Sequence, residues 1–269
     1  MLNNKKSGKH FSNNKTPLLI IFLRVISLIM ILVSLYYIFN WFYENNKTDN
    51  IMKNILKEIE ISDEQVQIEN TDIQVTVSNV SFDSLLSINS DTIGWLKVSG
   101  TQINYPIVQT DNNSFYLTHS FDKSYNKAGW CFADYRNKNL KNSELGKNTI
   151  IYGHNRMNSS MFGTLKNVLE KNWQTNKQNK YINFSTLGES LVWEVFSVYT
   201  ISNEDYYLKT DFSSDAEYQT FLSTLKKRSI YDFGTEISYN DKILTLSTCT
   251  NIDNKRTVVH AKLLYLENP

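Results

Sequence analysis

Cysteine, histidine, proline and glycine are all scarce in this 269-residue chain, with 2 Cys, 4 His, 3 Pro and 9 Gly. Two thiols, Cys131 and Cys249, cannot build the multi-bridge framework that staples small secreted domains. The histidines are scattered and lack the paired spacing that zinc requires, so no metal site is expected, and no cofactor. Scarce Pro and Gly argue against a disordered, low-complexity chain. An excess of charge of one sign is missing too: Lys+Arg 28 against Asp+Glu 27 leaves a formal charge of +1. That balance gives no electrostatic footprint for nucleic acid. No internal repeat is visible.

At roughly 100–200 residues per domain, the length fits one folded domain plus extensions. Such a domain buries a substantial core unaided. The clearest extension is the apolar run Leu18 to Phe39, broken by Arg24, Ser27 and Ser34. Its length matches the ~20 residues that cross a bilayer as a helix. Arg24 lies within the first two turns, from where its side chain can snorkel to the nearer interface. Tyr36, Tyr37, Trp41 and Tyr43 stand at the far end, where an aromatic belt is expected. Lys5, Lys6, Lys9 and Lys15 precede the run with no acidic residue, which predicts a cytoplasmic N-terminus and an external C-terminal portion. A cleaved signal peptide fits less well, because bulky Phe39, Trp41 and Phe42 occupy the place of a small-residue cleavage site. The expected organisation is a cytoplasmic tail over 1–17, a single-pass signal-anchor over 18–39, an extracellular linker or stalk with a short helix over 40–79, and a folded domain over 80–269.

Ile51, Ile55 and Ile59, with Leu56 beside them, recur at helix spacing and mark either a stalk helix or one that packs on the domain. A second helix signal opens at Ser81, with Asp83 in its first turn. From Ile93 the pattern is β-rich. Candidate strands are Ile93–Val98, Ile103–Val108, Gly129–Asp134, Asn148–Gly153, Lys180–Phe184, Leu191–Ile201, Lys242–Ser247 and Thr257–Leu266. Thr186-Leu-Gly-Glu189 marks a hairpin turn between two of them. Eight strands suit a small closed barrel filled by side chains, so the fold class is mainly β (α+β) with peripheral helices. Helical insertions are expected over Ser160–Lys171 and Ser213–Lys227, the second burying Phe212, Ala216, Phe221, Leu222 and Leu225. A long connection carrying its own helix is more often functional than filler.

The chemistry lies at strand ends. The run Lys242-Ile-Leu-Thr-Leu-Ser-Thr-Cys249 ends on a thiol, Thr149-Ile-Ile-Tyr-Gly153 is followed by His154, and Arg256 comes shortly after the cysteine. Thiol, imidazole and guanidinium are the parts of a cysteine acyl-transfer site: the thiolate attacks, the imidazole shuttles a proton, and the cation steadies an oxyanion. An arginine stays charged and can fork two donors onto an oxyanion, which ranks Arg256 ahead of adjacent Lys255. Ser247, Thr248, Tyr152 and Asn155 are candidate substrate-binding residues, each with an ordinary packing, pairing or turn role as the alternative. Asp253 is a candidate orienting acid, or a solvated loop acid. Cys131, in Gly129-Trp-Cys-Phe-Ala-Asp134, reads as a small buried hydrophobe. His10 sits in the tail, His119 in a loop-like region, and His260 mid-strand, where a satisfied structural histidine is the default.

Tyr152-Gly-His154-Asn, Thr245-Leu-Ser-Thr-Cys249 and Arg256 in Lys255-Arg-Thr-Val-Val-His-Ala-Lys together resemble the sortases, the membrane-anchored cysteine transpeptidases of Gram-positive bacteria. The resemblance runs from about Ser81 to Leu266 and includes the anchor. Ile88-Asn-x-Asp91-Thr-Ile-Gly-Trp95, Ile103-Asn-Tyr-Pro-Ile-Val-Gln109 and Ala133-Asp-Tyr-Arg-Asn137 look like the class B branch. The resemblance implies a sortase-like barrel as the catalytic domain, with Cys249 as nucleophile, His154 as general acid/base and Arg256 as the stabilising cation. It implies cleavage of a C-terminal sorting signal of NPQTN or NPxTG/SPxTG type after Thr, and transfer of the secreted protein to a peptidoglycan amine at the cell membrane. The alternatives are an L,D-transpeptidase-like enzyme, though those typically place His and Cys in one motif, a hydrolytic cysteine peptidase, though the papain type needs a cysteine early on a helix, and a non-catalytic anchored wall-binding β-domain.

Overall fold

A computed structural model describes residues 18–68, 72–138, 140–142, 144–202, 204–248 and 254–267. The chain divides into two compact units, Met1–Tyr43 and Glu44–Pro269. In the first, the apolar run forms the start of helix α1 (Leu18–Glu58), which is long and apolar enough to cross a membrane and has none of its most apolar window buried. That is consistent with a membrane anchor. The Ser34 hydroxyl donates to the Met30 carbonyl one turn back, which satisfies a polar group without a partner outside the helix. The tail over 1–17, with its four lysines and His10, lies outside the described residues.

The second unit is built on strands β1 (Ile61–Gln67), β2 (Gln74–Val80), β3 (Thr92–Val98), β4 (Asn104–Val108), β5 (Phe132–Ala133), β6 (Asn148–Gly153), β7 (Tyr181–Thr186), β8 (Ser190–Ser202), β9 (Ile243–Thr248) and β10 (Lys255–Glu267). Eight of them close a barrel in the order β10-β8-β7-β3-β4-β5-β6-β9. All neighbours are antiparallel except β4 with β5 and β6 with β9. The expected eight-stranded barrel with peripheral helices is the one that forms. Trp95, Ile107, Ile151, Phe184, Trp193, Leu244 and Val259 belong to its main buried core. The Thr186 amide donates to the Glu189 carbonyl at 2.9 Å, closing the β7–β8 hairpin where its turn signal lies.

Strand β8 is buried along nearly its whole length because both faces are covered. Helix α4 (Asp215–Arg228) supplies the outer cover, setting Tyr218, Phe221, Leu222 and Leu225 against Phe196, Tyr199 and Ile201. Burying each such apolar side chain contributes about 1.5–3 kcal/mol. The buried face follows helical spacing from Tyr218, so Ala216 turns out to be exposed, unlike its expected placement. Ser214 caps the helix by accepting from the Glu217 amide at 3.2 Å.

Two regions depart from the sequence expectation. No strand pattern precedes Ile93, yet β1 and β2 form an antiparallel hairpin that sets Val75 and Val77 against Tyr181 and Val192. Strand β1 is mostly exposed and polar, so hydrophobic periodicity does not mark it. The helix expected over Ser160–Lys171 is instead a 3-10 turn, Leu165–Leu169, followed by the short helix α3 (Lys171–Thr175). Ser159 and Met161 adopt positive φ, which excludes α-helix there. The helix over Ser81 onward appears as α2 (Asp83–Ile88), and Ile55 of α1 is buried in the main core, so that helical segment packs on the domain.

Candidate active site

The parallel pair β6–β9 sets the geometry. In register, Tyr152 stands opposite Ser247 and Gly153 opposite Thr248, so both strands end at one rim. His154 follows Gly153 directly. Gly153 has to be glycine, because a Cβ there would lie 2.5 Å from the Phe162 ring. On the other side of β9, the Thr257 amide of β10 donates to Thr248 Oγ1 at 2.9 Å, placing Arg256 beside the same rim.

A cleft of about 380 Å³ opens there. His154, Thr248, Arg256 and Tyr152 face it along with apolar Leu117, Phe132 and Leu208. Sequence reasoning missed those three apolar residues and Asn113: Phe132 lies in β5, and the others come from stretches that carry no local motif. Asn155 does not line the cleft; its backbone pairs with Met161. Ser247 is fully buried, and its hydroxyl lies 2.9 Å from the Tyr207 hydroxyl, to which Arg256 Nη1 donates at 3.3 Å. Tyr207, from the connection before α4, thus links the arginine to β9. Cys249 and Asp253 lie outside the described residues.

His154 is held by distant backbone. Its Nε2 is 2.8 Å from the Leu117 carbonyl oxygen, which only accepts, so the neutral ring carries its proton on Nε2 and leaves Nδ1 as the basic nitrogen. Beneath the ring lies Gly129, at φ +61, where a Cβ would fall 2.7 Å from the imidazole Cδ2. Burial pulls the imidazole pKa below its ordinary value; the Leu117 contact opposes this and the positive charge of Arg156 adds to it. The cleft wall is stiff. Asp134 receives Arg136 Nε at 2.9 Å, Arg136 Nη2 at 2.7 Å and the Tyr152 hydroxyl at 2.8 Å. Burial alone would raise the Asp134 carboxyl, but the Arg136 and Tyr152 hydrogen bonds hold it below the usual carboxylate range.

The other singled-out residues sit elsewhere. Cys131 is buried, its sulfur 3.7 Å from that of Met161. His260 is fully buried between the Tyr199 hydroxyl at 2.8 Å and Thr245 Oγ1 at 2.9 Å. His119 stacks on Phe115 and meets its carbonyl oxygen at 2.8 Å. No cluster of three or more metal-ligating side chains occurs among the described residues.

A family profile described as Sortase domain matches residues 96–264. The chain is 38% identical to sortase B of Staphylococcus aureus over 186 residues, covering 68% of this chain and 74% of that protein. Among solved structures, sortase B from Bacillus anthracis in complex with AAEK1 superposes with a TM-score of 0.68 at 37% identity, covering 83% of this chain and 97% of that one. The S. aureus sortase B–substrate complex gives a TM-score of 0.63 at 37% identity, covering 68% and 83%. The chain therefore belongs to the sortase family. Its activity is that of the sortase B branch, a cysteine transpeptidase that anchors surface proteins.

Proposed function

We propose that the exchange runs at the rim where β6, β9 and β10 meet, with Cys249 as nucleophile, His154 as general acid/base and Arg256 as the cation that steadies the oxyanion. The observation that carries this reading is the parallel register pairing Gly153 with Thr248, the residues bonded directly to His154 and Cys249. The Cys249 thiolate adds to the carbonyl carbon of the Thr residue in a sorting signal, and negative charge builds on the carbonyl oxygen, which Arg256 stabilises. Collapse breaks the C–N bond, the His154 imidazolium protonates the departing amine, and a thioester remains. An acceptor amine from peptidoglycan then attacks the thioester, gives its proton to neutral His154, and expels the thiolate. The lowered pKa of His154 makes its protonated form a strong acid toward the leaving amine.

The half-apolar cleft supports an extended peptide occupant, and the substrate complex of the S. aureus relative is in keeping with one. The acyl donor is a secreted protein with an NPQTN or NPxTG/SPxTG signal, and the lysine-rich tail supports a cytoplasmic N-terminus with the catalytic domain over 80–269 outside. Cys249→Ala in the full-length protein is expected to abolish cleavage of such peptides, read by mass spectrometry with and without an amine acceptor. Retained cleavage would remove Cys249 from the reaction. A tag at each end, tested for protease access on intact cells, reads the orientation.

A further inference from the structure

The last turns of α1 within the barrel unit, residues 44–58, do more than bury Ile55. Thr48 is 1% exposed, and its hydroxyl accepts from Asn126 Nδ2 at 3.0 Å. Asn126, equally buried, also donates to Ser120 Oγ at 2.9 Å and to the Glu44 carbonyl at 3.3 Å. From there the contacts lead to His154. The Asn126 main-chain N–H donates to the Thr118 carbonyl, next to the Leu117 carbonyl that His154 meets, and the Asn126 main-chain carbonyl accepts from the N–H of Gly129, the residue under the imidazole. Asn126 thus fixes both segments against which the ring lies.

A second arm reaches the other flank. Two residues past His154, Arg156 Nη2 donates to Asn45 Oδ1 at 2.6 Å. Asn45 is 7% exposed, and its Nδ2 has no hydrogen-bond partner among the described residues. Leaving a buried donor unsatisfied costs about 1–3 kcal/mol. An apolar residue at that position avoids the cost, so packing alone gives no reason for an asparagine there; acceptance from Arg156 does.

We infer that Thr48 and Asn45 of α1 are positioning residues for His154, acting through Asn126 on one flank and Arg156 on the other. The inference rests on the proposed role of His154 in turnover. The charged groups around this end of the cleft are Arg156, which bears on His154, Glu44, which bears on Arg156, and Arg256 across the opening. Loosening either arm lets water reach the imidazole and lets the Arg156 charge move away. Both changes raise the affinity of His154 for a proton.

The test uses the full-length protein in nanodiscs, labelled with ¹³Cε1-histidine so that its 4 histidines can be titrated, with His154→Ala assigning the line. Thr48→Val keeps the shape and removes the hydroxyl. It is expected to lower kcat about tenfold with KM within about twofold, and to move the His154 titration up toward its ordinary value. Thr48→Ser is expected to restore both. Asn45→Leu removes the acceptor of Arg156 together with the orphaned donor and tests the second arm independently; it is expected to lower kcat and to move the His154 titration up. Wild-type kcat and an unmoved His154 titration in folded Thr48→Val and Asn45→Leu would overturn the inference. If Thr48→Val does not fold, Asn45→Leu decides. Because the titration reads His154 without turnover, an active His154→Ala would remove the proposed mechanism while leaving the positioning test readable.

Discussion

Two imidazoles sit in one patch of the barrel wall, His154 just past the end of β6 and His260 in the middle of β10, with β9 running between those strands. His260 is fully buried and His154 half-buried at the cleft, and burial lowers the pKa of both, to about 3 for His260. Their hydrogen bonding separates them. His260 has both ring nitrogens engaged: Thr245 donates its hydroxyl proton to Asn148 Oδ1 at 2.7 Å and so accepts from His260 Nδ1–H, while Nε2 accepts from the Tyr199 hydroxyl, a closed arrangement with nothing left to exchange. His154 has Nε2 engaged by a carbonyl and, among the described residues, no hydrogen-bond partner at Nδ1. Burial perturbs any titratable group; a ring nitrogen left open at a cleft is what distinguishes a group available for proton transfer.

The contrast breaks most directly at His154. His154→Gln is expected to lower turnover by about 10²–10⁴, the usual contribution of a general acid/base, while His260→Gln keeps kcat within a few-fold. Steady-state kinetics on a sorting-signal peptide check both, and comparable losses would erase the distinction. A smaller effect is expected from Gly129→Ala. A side chain at φ +61 costs about 1–2 kcal/mol in backbone strain, and its Cβ would press on the His154 ring and on the Tyr116 carbonyl oxygen. Turnover is expected to fall at least about tenfold with a lower Tm, since a misplaced catalytic group loses rate steeply.

The smallest effect is in acid stability. His260 folds with its pKa depressed, so below the ordinary value of 6.5 the unfolded chain binds a proton that the folded chain refuses. The stability from its neutral, hydrogen-bonded state is complete above about pH 6.5 and is lost as pH falls toward about 3. Tm measured across that window should fall less steeply in His260→Gln than in wild type; parallel curves would show that His260 does not carry the dependence.

The sequence makes the barrel legible because most of its strands are apolar runs; β6 matches its expected span, while the strand expected over Gly129–Asp134 shortens to Phe132–Ala133. It conceals β1, whose polar residues carry no alternation, and it misplaces a helix after His154, where positive φ at Ser159 and Met161 bends the chain. His154 and Arg256 stand out as strand-end residues in the right company. Leu117, Gly129, Asn126 and Tyr207 do not, because their part at the cleft is made by backbone carbonyls, a close approach or a single hydroxyl delivered from distant loops. Local pattern reports which face of an element is apolar. It carries no signal for where two remote turns meet.

The parallel junction of β6 and β9 requires that everything between them, β7, β8, α3 and α4 included, leave the rim and return to it. The spacing of His154 and Thr248 is fixed by a ladder of main-chain bonds that this excursion does not interrupt. A protein engineer can therefore vary Leu208, which lines the cleft, while keeping Tyr207, whose hydroxyl ties Arg256 to Ser247 of β9. One neighbour on the same short turn faces the opening and is replaceable, while the other braces the barrel end and is not.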